Sequence, residues 1–235
     1  MRTAVRVAII LCMFATPACG TTGFANRPLT NVVVRANVIS RCVAQDGNVL
    51  EVSGNASGIK VIDNVLRGNG GAALNITGGT KPPHYTRWEL RVRNVVVSGN
   101  RISDTTGKYA LGLYIQASQG VPALGNTVTV SAYGLYVASE YTGVSLQNIT
   151  IAGNVVTDNA KAGIWIGTPY HRTTVVGATV TGNVAERNGV DDPSHQPAGA
   201  LYQYAGGSYT GFDTYRAATH QDARSTFGPP FGSGR

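Results

Sequence analysis

The stretch NVVVSGNRISD, Asn94 to Asp104, returns further along the chain as NITIAGNVVTD, Asn148 to Asp158. Weaker copies run from Asn31 to Ser40, Ile59 to Arg67, Ala123 to Val130 and Ala178 to Glu186. They align six asparagines, Asn37, Asn64, Asn100, Asn126, Asn154 and Asn183, at gaps of 27, 36, 26, 28 and 29 residues. A second apolar stretch follows each copy: Val49 to Val52, Ala73 to Ile76, Leu111 to Ile115, Gly134 to Val137, Gly163 to Ile166 and Gly199 to Gln203. A fixed period of this length marks a repeat architecture.

Within each copy the apolar residues recur at period two, and Gly, Asn and Asp punctuate them, which predicts short strands joined by tight turns. One such coil cannot bury its own apolar face. A stack of coils can, at about 4.8 Å per rung. Asparagine at a fixed place per coil has two physical uses: it tolerates left-handed backbone geometry, and its amide can bond to the same amide one coil along. The expected fold is all-β, a single solenoid of parallel strands with six to seven coils over residues 28–208. The 36-residue gap implies an inserted loop, Thr80 to Glu89, with the other insertions in the same sector of the coil.

The repeat N-x-x-[IV]-x-G-N-x-[IV]-x-[DN] followed by G-[IL]-x-[IV] resembles right-handed parallel β-helix repeats of the pectate-lyase-like superfamily. The likeness spans about residues 28–204. The segment from Phe212 to Ser225 is similar to the closing segment of bacterial members, with His220 where glycine is expected. Residues 209–235 are therefore expected to cap the last coil and block edge pairing. The resemblance implies the fold, but that fold hosts lyases, hydrolases, epimerases and adhesins. The paired aspartates of polygalacturonases, the Arg-x-Pro-x-x-Arg element of pectate lyases and the Asp-Pro-His-Asp element of mannuronan epimerases are not matched. Asp192-Pro193-Ser194-His195 only echoes the last.

In GIWIG, Gly163 to Gly167, alternation sends Ile164 and Ile166 inward and Trp165 outward. The equivalent positions are Glu51, Asn75, Tyr114, Tyr136, Trp165 and Tyr202. Four successive coils would carry Tyr, Tyr, Trp, Tyr in one outward stripe roughly 15 Å long. Such a stripe suits the C–H faces of sugar rings. It equally suits a stabilising side-chain ladder, or packing under the C-terminal tail.

The loops after these strands carry the reactive side chains. One holds His84, Tyr85 and Arg87, another Tyr170, His171 and Arg172, and Glu140 lies between them. The two basic loops are three coils apart, about 14 Å in a straight stack. Uronate β-elimination needs one group to neutralise the carboxylate and one to take the C5 proton. Arg or Ca²⁺ serves for the first, His, Tyr, Lys or Arg for the second. Tyr170, His171 and Arg172 combine these types and are the candidate catalytic residues. Tyr114, Tyr136, Trp165, Tyr202, His84, Tyr85, Arg87 and Glu140 are the candidate substrate-binding residues. The plain alternative is that the loop residues are solvated turn formers. Glycoside hydrolysis would need two convergent carboxylates, and the 12 acidic residues offer no such pair near the stripe. No acidic cluster marks a Ca²⁺ site, and no metal ligands are assigned.

Composition sets the remaining bounds. The 235 residues are 43% hydrophobic and only 13% charged, with 30 glycines, which is β-rich rather than helical. Net charge is 19 − 12 = +7, which favours an anionic partner without distinguishing acidic polysaccharide, nucleic acid and an anionic membrane, and equally suits a soluble protein that happens to be basic. No nucleic-acid motif is present. MRTAVRVAIILCMFATPACG has the charge, length and flanks of a secretory signal over residues 1–18, and its apolar run is too short to span a bilayer. Cys19 after it raises lipid anchoring as a lesser option. Removing residues 1–18 takes Arg2 and Arg6 and leaves 17 − 12 = +5. Cys42 reads as a small buried apolar residue. The expectation is a secreted or cell-surface monomer that binds or processes polysaccharide, with lyase-type chemistry as one option. A non-catalytic adhesion protein and a truncated inactive member are the alternatives.

Overall fold

The computed structural model describes residues 29–42, 47–78, 92–138, 145–167, 174–189, 202–204, 207–209, 217 and 226–227. They form a right-handed parallel β-solenoid of three sheets, A, B and C, visited in that order by five successive coils. Sheet A has ten strands, two short ones per coil in most coils. Sheet B has seven, from Val38–Ser40 to Thr226–Phe227. Sheet C has five, which define rungs 1 to 5: Asn48–Ser53, Gly70–Thr77, Thr106–Gln116, Tyr133–Val137 and Ala162–Ile166. Five coils thus reach all three sheets among the described residues, one or two fewer than the repeat count suggested.

The repeated apolar letters fill the interior. Val61, Val97, Ala123 and Ile151 form one inward column, from sheet A. Leu66, Ile102, Val128 and Val156 form another, from sheet B. Leu74, Leu113 and Leu135 continue the pattern in sheet C, and all of these are fully buried or nearly so. Each large aliphatic so buried contributes about 1.5–3 kcal/mol. Cys42 lies in the same core.

The asparagines between sheets A and B form a continuous ladder. Nδ2 of Asn37, Asn64, Asn100, Asn126 and Asn154 donates to Oδ1 of the next asparagine along at 2.8–3.0 Å. The same Oδ1 accepts the backbone N–H of the preceding asparagine. From Asn64 onward, the second Nδ2 hydrogen goes to a main-chain carbonyl of the preceding coil. No amide group is stranded in a site that excludes water, which is why the letter repeats.

One expected role of these asparagines moves by a residue. The left-handed backbone belongs to the residue before each: Ala36, Asp63, Gly99, Gly125, Gly153 and Gly182, with φ between 55° and 64°. A second left-handed column, Arg41, Gly68, Asp104, Val130, Asp158 and Arg187, ends the strands of sheet B. Val130, β-branched and exposed, sits there at φ 52° against its preference. Among the described residues no helix is long and apolar enough to cross a membrane.

Candidate functional site

The outer face of sheet C is the candidate site, and three glycines decide which side chains reach it. A Cβ on Gly112 would stand 2.3 Å from Val128 Cγ1, and one on Gly163 2.6 Å from Asn188 Nδ2. Gly134 is confined in the same way. Each glycine therefore occupies the inner side, and so does the aliphatic residue after it. Two inward positions in a row break strict alternation. The outward residues of these strands are then three apart, as Tyr133 and Tyr136 are. In rung 1 the same spacing lets Asn48 Nδ2 donate to Glu51 Oε2.

The register aligns Glu51, Asn75, Tyr114, Tyr136 and Trp165 in one column. A parallel column holds Asn48, Ala72, Leu111, Tyr133 and Ala162. Tyr133 thus joins the aromatic cluster, although strict alternation counted from Tyr136 would turn it inward. The rings tilt rather than stack flat. Tyr114 and Tyr136 have centroids 5.3 Å apart at 60°, Tyr133 and Tyr136 5.2 Å at 57°. Trp165 stands edge-on to Tyr133 at 6.0 Å and lies 6.2 Å from Tyr136 at 32°. The indole N–H of Trp165 donates to the Gly167 carbonyl oxygen, which fixes the ring against its own strand. Lys161 Nζ sits 5.6 Å from the centroid of Tyr133, a cation–π contact at the rim.

Exposure changes along the column. Tyr133, Tyr136 and Trp165 are half-buried, so parts of their rings meet solvent. Tyr114 is only 3% exposed and belongs to a small outer cluster with Ala72 and Leu111. The expected open stripe is therefore open at rungs 4 and 5 and closed at rung 3. Beside Tyr114 and across rungs 2 and 3 lie Asn75, Thr77 and Gln116, all buried. Asn75 Oδ1, Thr77 Oγ1 and Gln116 Oε1 have no hydrogen-bond partner.

The strand of Tyr202 lies against Ala162–Ile166, but without parallel pairing to it among the described residues. That strand, Tyr202–Tyr204, pairs antiparallel with Gly207–Tyr209, with Tyr202 opposite Tyr209. Two residues separate the two strands, so a local hairpin closes at little entropic cost, and the parallel sheet ends at Trp165's strand among the described residues. His84, Tyr85, Arg87, Glu140, Tyr170, His171 and Arg172 lie outside the described residues.

Elsewhere several charged groups pair with partners on adjacent coils. Arg187 donates to Asp158 from Nε at 2.7 Å and from Nη2 at 2.8 Å. That pairing holds the Asp158 carboxyl below its ordinary range and the Arg187 guanidinium above its own. Arg35 meets Asp63 at 3.1 Å, and Arg67 meets Asp104 at 3.6 Å beside a notch lined by Ser40, Arg41 and Gly68. Among the described residues no three His, Cys, Asp or Glu side chains stand together as a metal site would require.

What sheet C offers is a rigid shelf of aromatic faces with neutral polar groups beside it. A family profile described as a right-handed β-helix region matches residues 89–210, just over half of the 235-residue chain. No curated protein and no solved structure matches it. The matched span holds the four rings of the shelf and four of the six ladder asparagines, and it agrees with the parallel three-sheet coil described above: the chain belongs to the right-handed β-helix family.

Proposed function

We propose that the outer face of sheet C binds a polysaccharide chain, with Tyr133, Tyr136 and Trp165 as its platform. The observation that carries this reading is the half-exposed state of three aromatic rings fixed on two adjacent rungs. Their geometry is set by backbone register and by the Trp165–Gly167 bond, so little ordering entropy is lost on binding. Apolar ring faces beside polar groups suit sugars, which present C–H patches and hydroxyls together. In this reading residues 1–18 direct secretion, and the protein works outside the cell or on its surface.

Chemistry is a finer proposal on the same platform. Tyr170, His171 and Arg172 follow the strand of Trp165 directly in sequence. They would act as carboxylate partner and C5 base of a lyase-type elimination if the bound chain carries uronate.

The test is affinity electrophoresis and titration calorimetry on a panel of soluble polysaccharides, with wild type, Trp165→Ala and Tyr136→Ala. Binding is expected in wild type and to weaken about tenfold or more in each variant, roughly 1.4 kcal/mol, with Tm unchanged. Equal affinity in all three proteins would remove sheet C from the binding surface. Formation of unsaturated uronide that His171→Ala abolishes would support the lyase step, and its absence on every bound glycan would sink that step.

A further inference from the structure

We propose that the notch between Arg41, Gly68 and Asp104 is an oxyanion site, which takes a carboxylate, phosphate or sulfate group either free in solution or carried on an acidic sugar. It lies at the turns before rungs 1, 2 and 3, on other coils than the half-open rings, and does not depend on what sheet C binds. The turn column reads Arg41, Gly68, Asp104, Val130, Asp158 and Arg187. Backbone bonds hold its members in register. The Arg41 N–H donates to the Arg67 carbonyl oxygen at 3.1 Å, as the Asp158 N–H does to that of Glu186 at 3.2 Å. Arg41 therefore stands to Gly68 as Asp158 stands to Arg187. In the second case opposite charges meet, and two hydrogen bonds tie the coils together. In the first, an arginine faces a residue without a side chain. A Cβ on Gly68 would touch nothing within 4 Å, so the place that a carboxylate would fill is open space. Arg41 is exposed and makes no side-chain hydrogen bond or ion pair with another described residue.

A second guanidinium can turn to the same space. Arg67, the residue before Gly68, meets Asp104 at 3.6 Å, beyond hydrogen-bond reach. The Arg35–Asp63 and Arg187–Asp158 pairs are hydrogen-bonded, at 3.1 Å and at 2.7 and 2.8 Å. The Arg67 and Asp104 side chains are 74% and 48% exposed, so their pairing contributes little and Arg67 leaves it at small cost. Asp104 then keeps the Ser103 hydroxyl, which donates to its Oδ2 at 2.9 Å. Two arginines against one aspartate leave the lining net positive, and Ser40 adds a hydroxyl. The notch has a volume of about 470 Å³, enough for a small sugar acid. Two planar guanidiniums offer an oxyanion forked, charge-assisted hydrogen bonds. Asp104 stays free to accept from a hydroxyl on whatever carries that anion.

The experiment titrates the full chain with inorganic phosphate, glucuronate and glucose at constant ionic strength, and follows the arginine Nε–H signals by ¹H–¹⁵N NMR. Wild type is compared with Arg41→Gln and Gly68→Asp. Asp104 and Asp158 already adopt the left-handed backbone of this column, so an aspartate at 68 suits the turn and sets a carboxylate opposite Arg41. At least one of the two anions is expected to shift arginine signals in wild type, among them the signal that Arg41→Gln removes, while glucose shifts none. Affinity should fall about tenfold in Arg41→Gln, the loss of one charge-assisted contact, and disappear in Gly68→Asp. Shifts with phosphate would support the site with a free anion as its source. Shifts with glucuronate alone would support it with an acidic sugar as the source. No shift with either anion would overturn the proposal. Unchanged affinity in Gly68→Asp would overturn it too, by placing the anion elsewhere. Arg41 is exposed, so Arg41→Gln keeps the fold, and unchanged affinity in that variant overturns the proposal even if Gly68→Asp fails to fold.

Discussion

A Cβ built on Gly134 would sit 2.3 Å from Val156 Cγ1, 2.7 Å from Asn159 Nδ2 and 2.7 Å from the Gly163 carbonyl oxygen. None of these neighbours is the loose end of a flexible side chain. Val156 and Asn159 are fully buried, and the carbonyl belongs to the next rung. The glycine is needed for space rather than for a left-handed backbone, and its effect reaches the surface. With Gly134 and Leu135 both directed inward, Tyr133 and Tyr136 are the outward pair. Gly134→Ala is therefore expected to destabilise by about 1–3 kcal/mol through overpacking. The same substitution should displace Tyr133 from its neighbours. Thermal melting would show the first effect and near-ultraviolet circular dichroism the second. A variant with wild-type Tm and an unchanged aromatic spectrum would mean that the corner has room the structure does not show. This geometry also explains why Tyr133 was illegible in the sequence. Period-two alternation is a rule for strands with one kind of corner, and a glycine at the inner corner resets its phase.

At the scale of elements, the solenoid carries a second, incomplete amide ladder where the chain leaves sheet B. Asn159 Nδ2 donates to Asn188 Oδ1 at 2.9 Å, and Asn159 Oδ1 accepts the backbone N–H of Ser131 at 3.0 Å. Asn69 accepts from the backbone of Cys42 in the same manner. Between these ends stand Thr105 and Ser131, buried, with hydroxyl oxygens that have no partner. The first ladder wrote itself into the sequence because every coil needs the same letter. The second did not, because Cys42, Thr105 and Ser131 interrupt it. The sequence still holds a clue to what the gap would accept. Gly134 faces Asn159 and Gly163 faces Asn188, and Gly112 faces Ser131 Oγ at 3.3 Å. An asparagine at 131 would find the glycine-sized space that the next two coils provide, with Asn159 Oδ1 already placed as acceptor. Ser131→Asn is expected to stabilise by about 1 kcal/mol, a rise in Tm of about 2–4 °C. Adding Gly112→Ala should erase that gain by filling the space. A Ser131→Asn protein that melts lower than wild type would show that the extra amide is not accommodated. The candidate site was legible in part for related reasons. Its column could be aligned by counting rungs, but the repeat letters carry neither the burial of Tyr114 nor the antiparallel pairing at Tyr202.

Across the whole molecule, each coil bonds only to its neighbours, so stability accumulates as a sum of coil-to-coil contacts. The ion pairs follow the same rule. Arg35–Asp63, Arg67–Asp104 and Asp158–Arg187 each join adjacent coils at their turns, on faces other than the aromatic shelf. Net charge of +7 means that these pairs also offset repulsion among the cations of successive turns. Asp158 gives the clearest pH consequence. The Arg187 hydrogen bonds hold its carboxyl below the ordinary value, so the folded protein binds that proton less readily than the unfolded chain does. The stabilisation is then complete above the unfolded carboxylate pKa, about 3.9, and disappears as pH falls through the lower, folded value. Both side chains are more than a third exposed, so solvent and salt screen the pair and its share of stability is small. Asp158→Asn is expected to lower Tm slightly at neutral pH and low salt. Asparagine suits the left-handed backbone at this position, φ 58°, so the change isolates charge from conformation. The difference from wild type should shrink with added salt and vanish once the pH lies below the folded pKa of Asp158. A gap in Tm that stayed constant from neutral to strongly acidic pH would show that the carboxylate charge contributes nothing. The aspartate would then act at this turn only through its shape.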